Sequence, residues 1–147
     1  MSTVRADAIL DAAGGNTATI NGITPAIATS AEAETGTNNT KLMTPLRSAQ
    51  AIGVRAIGIN QSWNNVSASR APGTVYTNTT GRPIMVNITF NPTGSTASVS
   101  VASIQVGATT TVSGYSNYQT ISFIVPAGST YQTSNIAGSI NYWAELR

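Results

Sequence analysis

From Gln61 onward the apolar residues recur at every second position, and that period constrains the fold more than any other feature of this chain. Ile84, Val86, Ile88 and Phe90 alternate with Met85, Asn87 and Thr89, which places one face inward and one in water. Ile121, Phe123 and Val125 alternate with Thr120, Ser122 and Ile124. Val99 and Val101, then Ile104 and Val106, form another such stretch, whose phase shifts at Ala102-Ser103 and marks a bulge or a turn there. Turn signals separate the runs: Thr80-Gly81, Asn91-Pro92-Thr93-Gly94, Ser113-Gly114 and Pro126-Ala127-Gly128. Short strands at intervals of roughly ten residues read as an antiparallel β-sandwich or small barrel, and about seven of them fit between residues 61 and 147.

The first 60 residues follow a different pattern. Residues 1 to 28 carry the breakers Gly14, Gly15, Gly22 and Pro25 between apolar clusters too brief to enclose a core, so this segment needs something to lie against. Thr29-Ser30-Ala31-Glu32 is a capping-box pattern, stopped at Gly36, that supports one or two helical turns. Thr44-Pro45 starts a helix more firmly, because the threonine accepts from orphan N-H groups and the proline stands where no N-H is needed. That helix is expected from Pro45 to about Ala51. Leu46, Ala49, Ile52, Ala56 and Ile59 recur at three- and four-residue spacing, a narrow seam suited to packing against copies of the same helix. Gly53 and Gly58 interrupt it and leave its second half open between helix and extended chain. The chain thus reads as mainly β: an antiparallel β-sandwich head over 61–147, after a short helical trimerisation or neck segment over 29–60 and an arm over 1–28.

Chemistry is the next constraint. The chain has no histidine and no cysteine, and the whole stretch from Thr35 to Ala144 holds no acid; Asp7, Asp11, Glu32, Glu34 and Glu145 are the full set. General acid or base work and metal ligation need such groups, so neither catalysis, a metal site nor a cofactor is expected. Glycoside cleavage ordinarily takes two carboxyl groups, and only Glu145, meeting an N-terminal acid of a neighbouring copy, could supply one from the β region. Charged residues make up 8% of the chain, against roughly 25% in a typical domain, so hydroxyls and amides solvate the surface. The net charge of +2 reflects scarce acids, and the seven basic residues stand singly, which argues against a nucleic-acid partner. No apolar run approaches the roughly 18 residues of a membrane span, so no membrane insertion is expected, and no secretory leader is recognisable.

The string from Ala28 to Ile52 resembles a module found repeatedly in tail fibre proteins of bacteriophages, where it precedes the distal, receptor-facing domain. Gln61-Ser62-Trp63, Arg70, Gly73 to Ile84, Phe123 to Tyr131 and Trp143 to Arg147 are similar to the C-terminal β domain of many such fibres. Val4 to Gly14 and Asn21-Gly22 resemble a phrase common in short phage virion proteins. The resemblance implies a homotrimeric virion component: an anchoring arm over 1–28 that docks on other virion proteins of the tail, baseplate or capsid, then a head that contacts a host surface glycan. Full-length fibres are commonly several times longer, with a shaft between the virion attachment and the tip, of which almost nothing is expected in this sequence. The alternative is therefore a capsid decoration (cement) protein that stabilises the shell.

Individual residues divide into frame and contact candidates. Trp63 and Trp143, which lie inside the fibre-like strings, are expected in the core or at a trimer interface before they are expected as sugar platforms. Leu46, Ala49, Ile52 and Arg82 join them as trimer-interface or frame residues. Arg70 and Arg82 are expected to donate to backbone carbonyls, or to pair across a subunit boundary with Glu145 or the C-terminal carboxylate, before they hold an anionic sugar. The candidate receptor-binding residues are Tyr115, Ser116, Asn117 and Tyr118, because Tyr, Ser and Asn in one loop are the residues that paratopes favour; the alternative is an ordinary hairpin loop. The loop from Asn91 to Ala97 is a second choice. Asn38, Asn65, Asn78 and Asn87 open N-glycosylation patterns that arise here by composition.

Overall fold

A computed structural model describes residues 26–92, 96–110, 118–134 and 138–147. The chain divides into two compact units, Met1–Val54 and Arg55–Arg147.

In the first unit, α1 (Ser30–Thr35) and α2 (Pro45–Gly53) begin and end where their caps dictate. Thr29 and Glu32 form the reciprocal capping box, and Gly36 closes α1 in the left-handed conformation that glycine adopts without strain. Thr44 Oγ1 accepts from the Arg47 N-H, and Pro45 occupies the first helical position. A single parallel bridge joins Ile27 to Leu42. The helix stops at Gly53 and turns follow, so Ala56 and Ile59 do not continue the seam on α2, and the open second half of that segment is neither helix nor strand.

The second unit is a sandwich of two antiparallel four-stranded sheets. One has the order β1-β8-β3-β6, from β1 (Trp63–Asn65), β8 (Gly138–Leu146), β3 (Ile84–Pro92) and β6 (Gln119–Val125). The other has the order β2-β7-β4-β5, from β2 (Tyr76–Thr77), β7 (Thr130–Ser134), β4 (Thr96–Val101) and β5 (Ile104–Thr110). The alternation at Ile84, Val86, Ile88 and Phe90 puts all four in the interior with Val99, Val125, Tyr131 and Trp143. The stretch around Ala102-Ser103 is two strands. Both residues have positive φ, 49° and 67°, as a two-residue hairpin whose twist matches its strands requires. The register bulge lies nearby, between Val99 and Ser100. On β5, Gly107 passes so close to β6 that a Cβ there would stand 2.8 Å from Ile121 Cγ2. Asn78 is buried as well: its Nδ2 donates to the carbonyls of Arg82, Val125 and Pro126, and its Oδ1 accepts from Thr80. That glycosylation pattern is a turn lock.

Candidate functional site

The unit Arg55–Arg147 contains one acid, Glu145, and the fold places it inside. Strand β8 alternates Trp143 inward, Ala144 outward and Glu145 inward, so the carboxylate enters the interior beside the tryptophan. Arg70 grips it with two bonds, Nε to Oε1 at 2.9 Å and Nη2 to Oε2 at 3.1 Å. The Tyr131 hydroxyl donates to Oε1 at 2.6 Å, and Arg147 Nη1 lies 3.3 Å from Oε2. A buried carboxylate is tolerated only with this kind of multiple donation. Burial and the bond to Glu145 hold the Tyr131 proton well beyond the usual phenol range, with the Arg70 charge acting the other way. Burial works against the Arg70 charge, yet its bonds to Glu145 raise its pKa further.

This cluster ties three pieces of chain together. The segment after β1 crosses from one sheet to the other, and Arg70 lies on it with its guanidinium 4.4 Å over the Tyr76 ring. Tyr76 meets Trp143 edge to face, with centroids 5.8 Å apart, while its hydroxyl accepts from the Ala71 N-H. The bond from Tyr131 on β7 to Glu145 on β8 joins the two sheets. Arg70 and Glu145 therefore pair within one chain, not across a subunit boundary. The pair fills the interior with charge already neutralised, and it presents no accessible acid.

The solvent side of β1-β8-β3-β6 has the opposite character. Register puts Trp63, Leu146, Met85 and Ile124 in one row across all four strands. The next row is Asn65, Ala144, Asn87 and Ser122, and the third is Tyr142, Thr89 and Thr120. These rows contain no charged side chain. Trp63 is 50% exposed and Tyr142 59%. Ser122 Oγ donates to Asn87 Oδ1, and Ser67 donates twice to Asn65 Oδ1. Each amide thus has its oxygen engaged and its Nδ2 without an intramolecular partner among the described residues.

The residues expected from sequence fall in several places. Trp143 is fully buried core; Trp63 is not core, because the register of β1 on β8 turns it outward, and two tryptophans in similar strings could not be told apart without that register. Arg82 donates Nη1 to the Ile59 carbonyl at 2.8 Å, a frame role. Leu46, Ala49 and Ile52 lie on one exposed stripe of α2. Tyr118, immediately before β6, is exposed. Tyr115, Ser116 and Asn117 lie outside the described residues, as do residues 93–95 of the second candidate loop. Sequence reasoning missed the outer sheet face: its signal is the Met85, Asn87, Thr89 half of the alternation, which period alone marks only as water-facing. Among the described residues, no group of three His, Cys, Asp or Glu side chains could hold a metal, and no helix is long and apolar enough to cross a membrane.

No family model matches the chain, and no curated protein matches it. It is similar to one solved structure, a family 35 carbohydrate binding module from an environmental isolate, at 15% identity over 63% of this chain and 68% of that one, with a TM-score of 0.30. That likeness is too distant to carry an assignment.

Proposed function

We propose that this chain is a non-catalytic phage virion protein, a homotrimeric tail fibre component whose C-terminal sandwich adheres to a glycan on the host surface. The observation that carries the adhesive reading is the contrast within one sheet. Its single acid is sequestered by Arg70 and Tyr131, while its solvent face offers aromatic rings, amides and hydroxyls and no charge. Such a surface makes contacts and drives no proton transfer. Three copies on one particle component would raise weak single-site affinity by avidity.

The trimer is supported by α2, which buries no residue of its own and leaves Leu46 64% and Ile52 61% exposed. The phage assignment is supported by the fibre-like strings at 28–52, 61–84, 123–131 and 143–147. Light scattering is expected to give about three times 15.1 kDa, and Leu46→Ser with Ile52→Ser to give smaller species. Labelled trimer is expected to bind susceptible host cells. A stable monomer at micromolar concentration would overturn the trimer. Wild-type trimer that binds no susceptible cell, with particles lacking the protein adsorbing normally but bursting more easily, would replace adhesion by capsid decoration.

A further inference from the structure

We infer that the glycan is read by the outer face of the β1-β8-β3-β6 sheet and is neutral, with Trp63 and Tyr142 as its two stacking platforms and Asn65, Asn87, Thr89 and Ser122 as its hydroxyl readers. This inference rests on the adhesive reading above and assigns it a surface.

The geometry follows from register. Trp63 stands opposite Leu146, and Tyr142 lies four residues along β8 from Leu146. At roughly 3.3 Å per residue the two rings are about 13 Å apart along the strands and displaced by one strand spacing. A ligand touching both is an extended oligosaccharide. Between the rings runs the row of Asn65, Ala144, Asn87 and Ser122, in which Ala144 keeps the floor low. Each asparagine has its Oδ1 bound by a neighbouring hydroxyl, which fixes the amide and leaves Nδ2 as a donor for a sugar oxygen. Thr89 and Thr120 share one hydroxyl bond and keep acceptor capacity. Aromatic faces for the apolar side of a pyranose, with fixed amides for its hydroxyls, are the two components that carbohydrate recognition requires.

Charge decides among occupants. Nucleic acid or an acidic polysaccharide needs cations, and these rows hold none. A protein partner would place its anchors in an apolar centre with a polar rim, whereas here the one apolar row runs along one end of the face and polar rows fill the rest.

The test uses full-length protein and variants on an array of neutral oligosaccharides, with heparin as the acidic control. Wild type is expected to bind at least one neutral probe and not heparin. Trp63→Ala and Tyr142→Ala are each expected to weaken that binding about tenfold or more. Ser122→Arg, which adds bulk and charge at an exposed position without touching the core, is expected to abolish it. Thermal melts must match wild type for each variant; Ser122→Arg keeps the test valid if an alanine variant unfolds. Unchanged affinity in folded Trp63→Ala, Tyr142→Ala and Ser122→Arg would overturn this face while leaving the adhesive reading intact. A shift of Trp63→Ala to a smaller oligomer would make the face a subunit boundary and overturn it too. Wild-type binding to heparin alone would overturn neutrality. Wild type that binds neither any probe nor host cells would defeat the adhesive reading itself.

Discussion

The unit Arg55–Arg147 closes its own interior, and the described part of the other unit does not. In the sandwich, eleven buried residues of the two sheets and Val66, just after β1, form one cluster around Trp143 and Tyr131. Between residues 26 and 54 only Ala28 and Ala33 are buried hydrophobic residues, while Ile27, Leu42, Met43, Leu46 and Ile52 face solvent. Both units are locally well specified. The helices have caps at both ends and the strands have register, yet capping satisfies backbone groups without removing apolar area from water. Helices of six and nine residues are marginal alone, so they draw stability from something beyond their own caps. Good local signals are thus compatible with two quite different degrees of self-sufficiency.

The largest expected effect tests that contrast directly. Trp143→Ala leaves a cavity among Tyr76, Tyr131 and their neighbours, and urea unfolding followed by the β signal should show a loss of about 3–5 kcal/mol. Leu46→Ser should leave the same transition within about 0.5 kcal/mol of wild type. If Leu46→Ser costs the sandwich as much as Trp143→Ala does, the two units are not energetically separate and the comparison fails.

A somewhat smaller effect probes the charge inside the sandwich. Glu145→Leu strands the Arg70 guanidinium, and breaking one side of a buried pair typically costs about 3–5 kcal/mol, reduced here because Arg70 retains partial solvent access. Arg70→Leu combined with Glu145→Leu should recover much of that loss, since an apolar replacement of both partners removes the desolvation problem. Additive losses in the double variant would show that Arg70 and Glu145 act separately, through packing against Tyr76 and bonding to Tyr131.

How far the sequence reaches depends on whether a feature is local. Ile84 to Phe90 declared both its strand and its buried face, because a period of two survives in any register. Thr29 and Thr44 declared their helices through caps that lie within four residues. Strands β1 and β2, of three and two residues, are too short to show a period and exist only through their partners β8 and β7. Ala102-Ser103 carries none of the glycine or asparagine that usually marks such a turn, so the hairpin looked as much like a bulge. The Arg70–Glu145 pair was legible as chemistry, because so few charges were available to combine, but its placement within one chain was not. The two tryptophans were separable only through register. The expected binding loop at Tyr115, Ser116 and Asn117 lies outside the described residues.

The smallest effect belongs to the unit whose described residues form no core, and it is a matter of pH. Lys41 donates to Glu32, and Thr29 donates to it from both its backbone N-H and its hydroxyl at 2.9 Å. The Lys41 bond first, then those from Thr29, lower the carboxyl pKa from 4.5 to about 2. A depressed carboxyl contributes stability that is present above the unfolded value and lost as pH falls through the folded one. The cap should therefore hold above pH 4.5 and weaken towards pH 2, giving a shallow loss of helical ellipticity. The pair lies at the surface, so added salt should shrink the change. Glu32→Gln should flatten it, because the amide cannot titrate. If wild type and Glu32→Gln lose helix identically over that range, the capping box does not control α1, and this unit depends even more on its surroundings than the comparison implies.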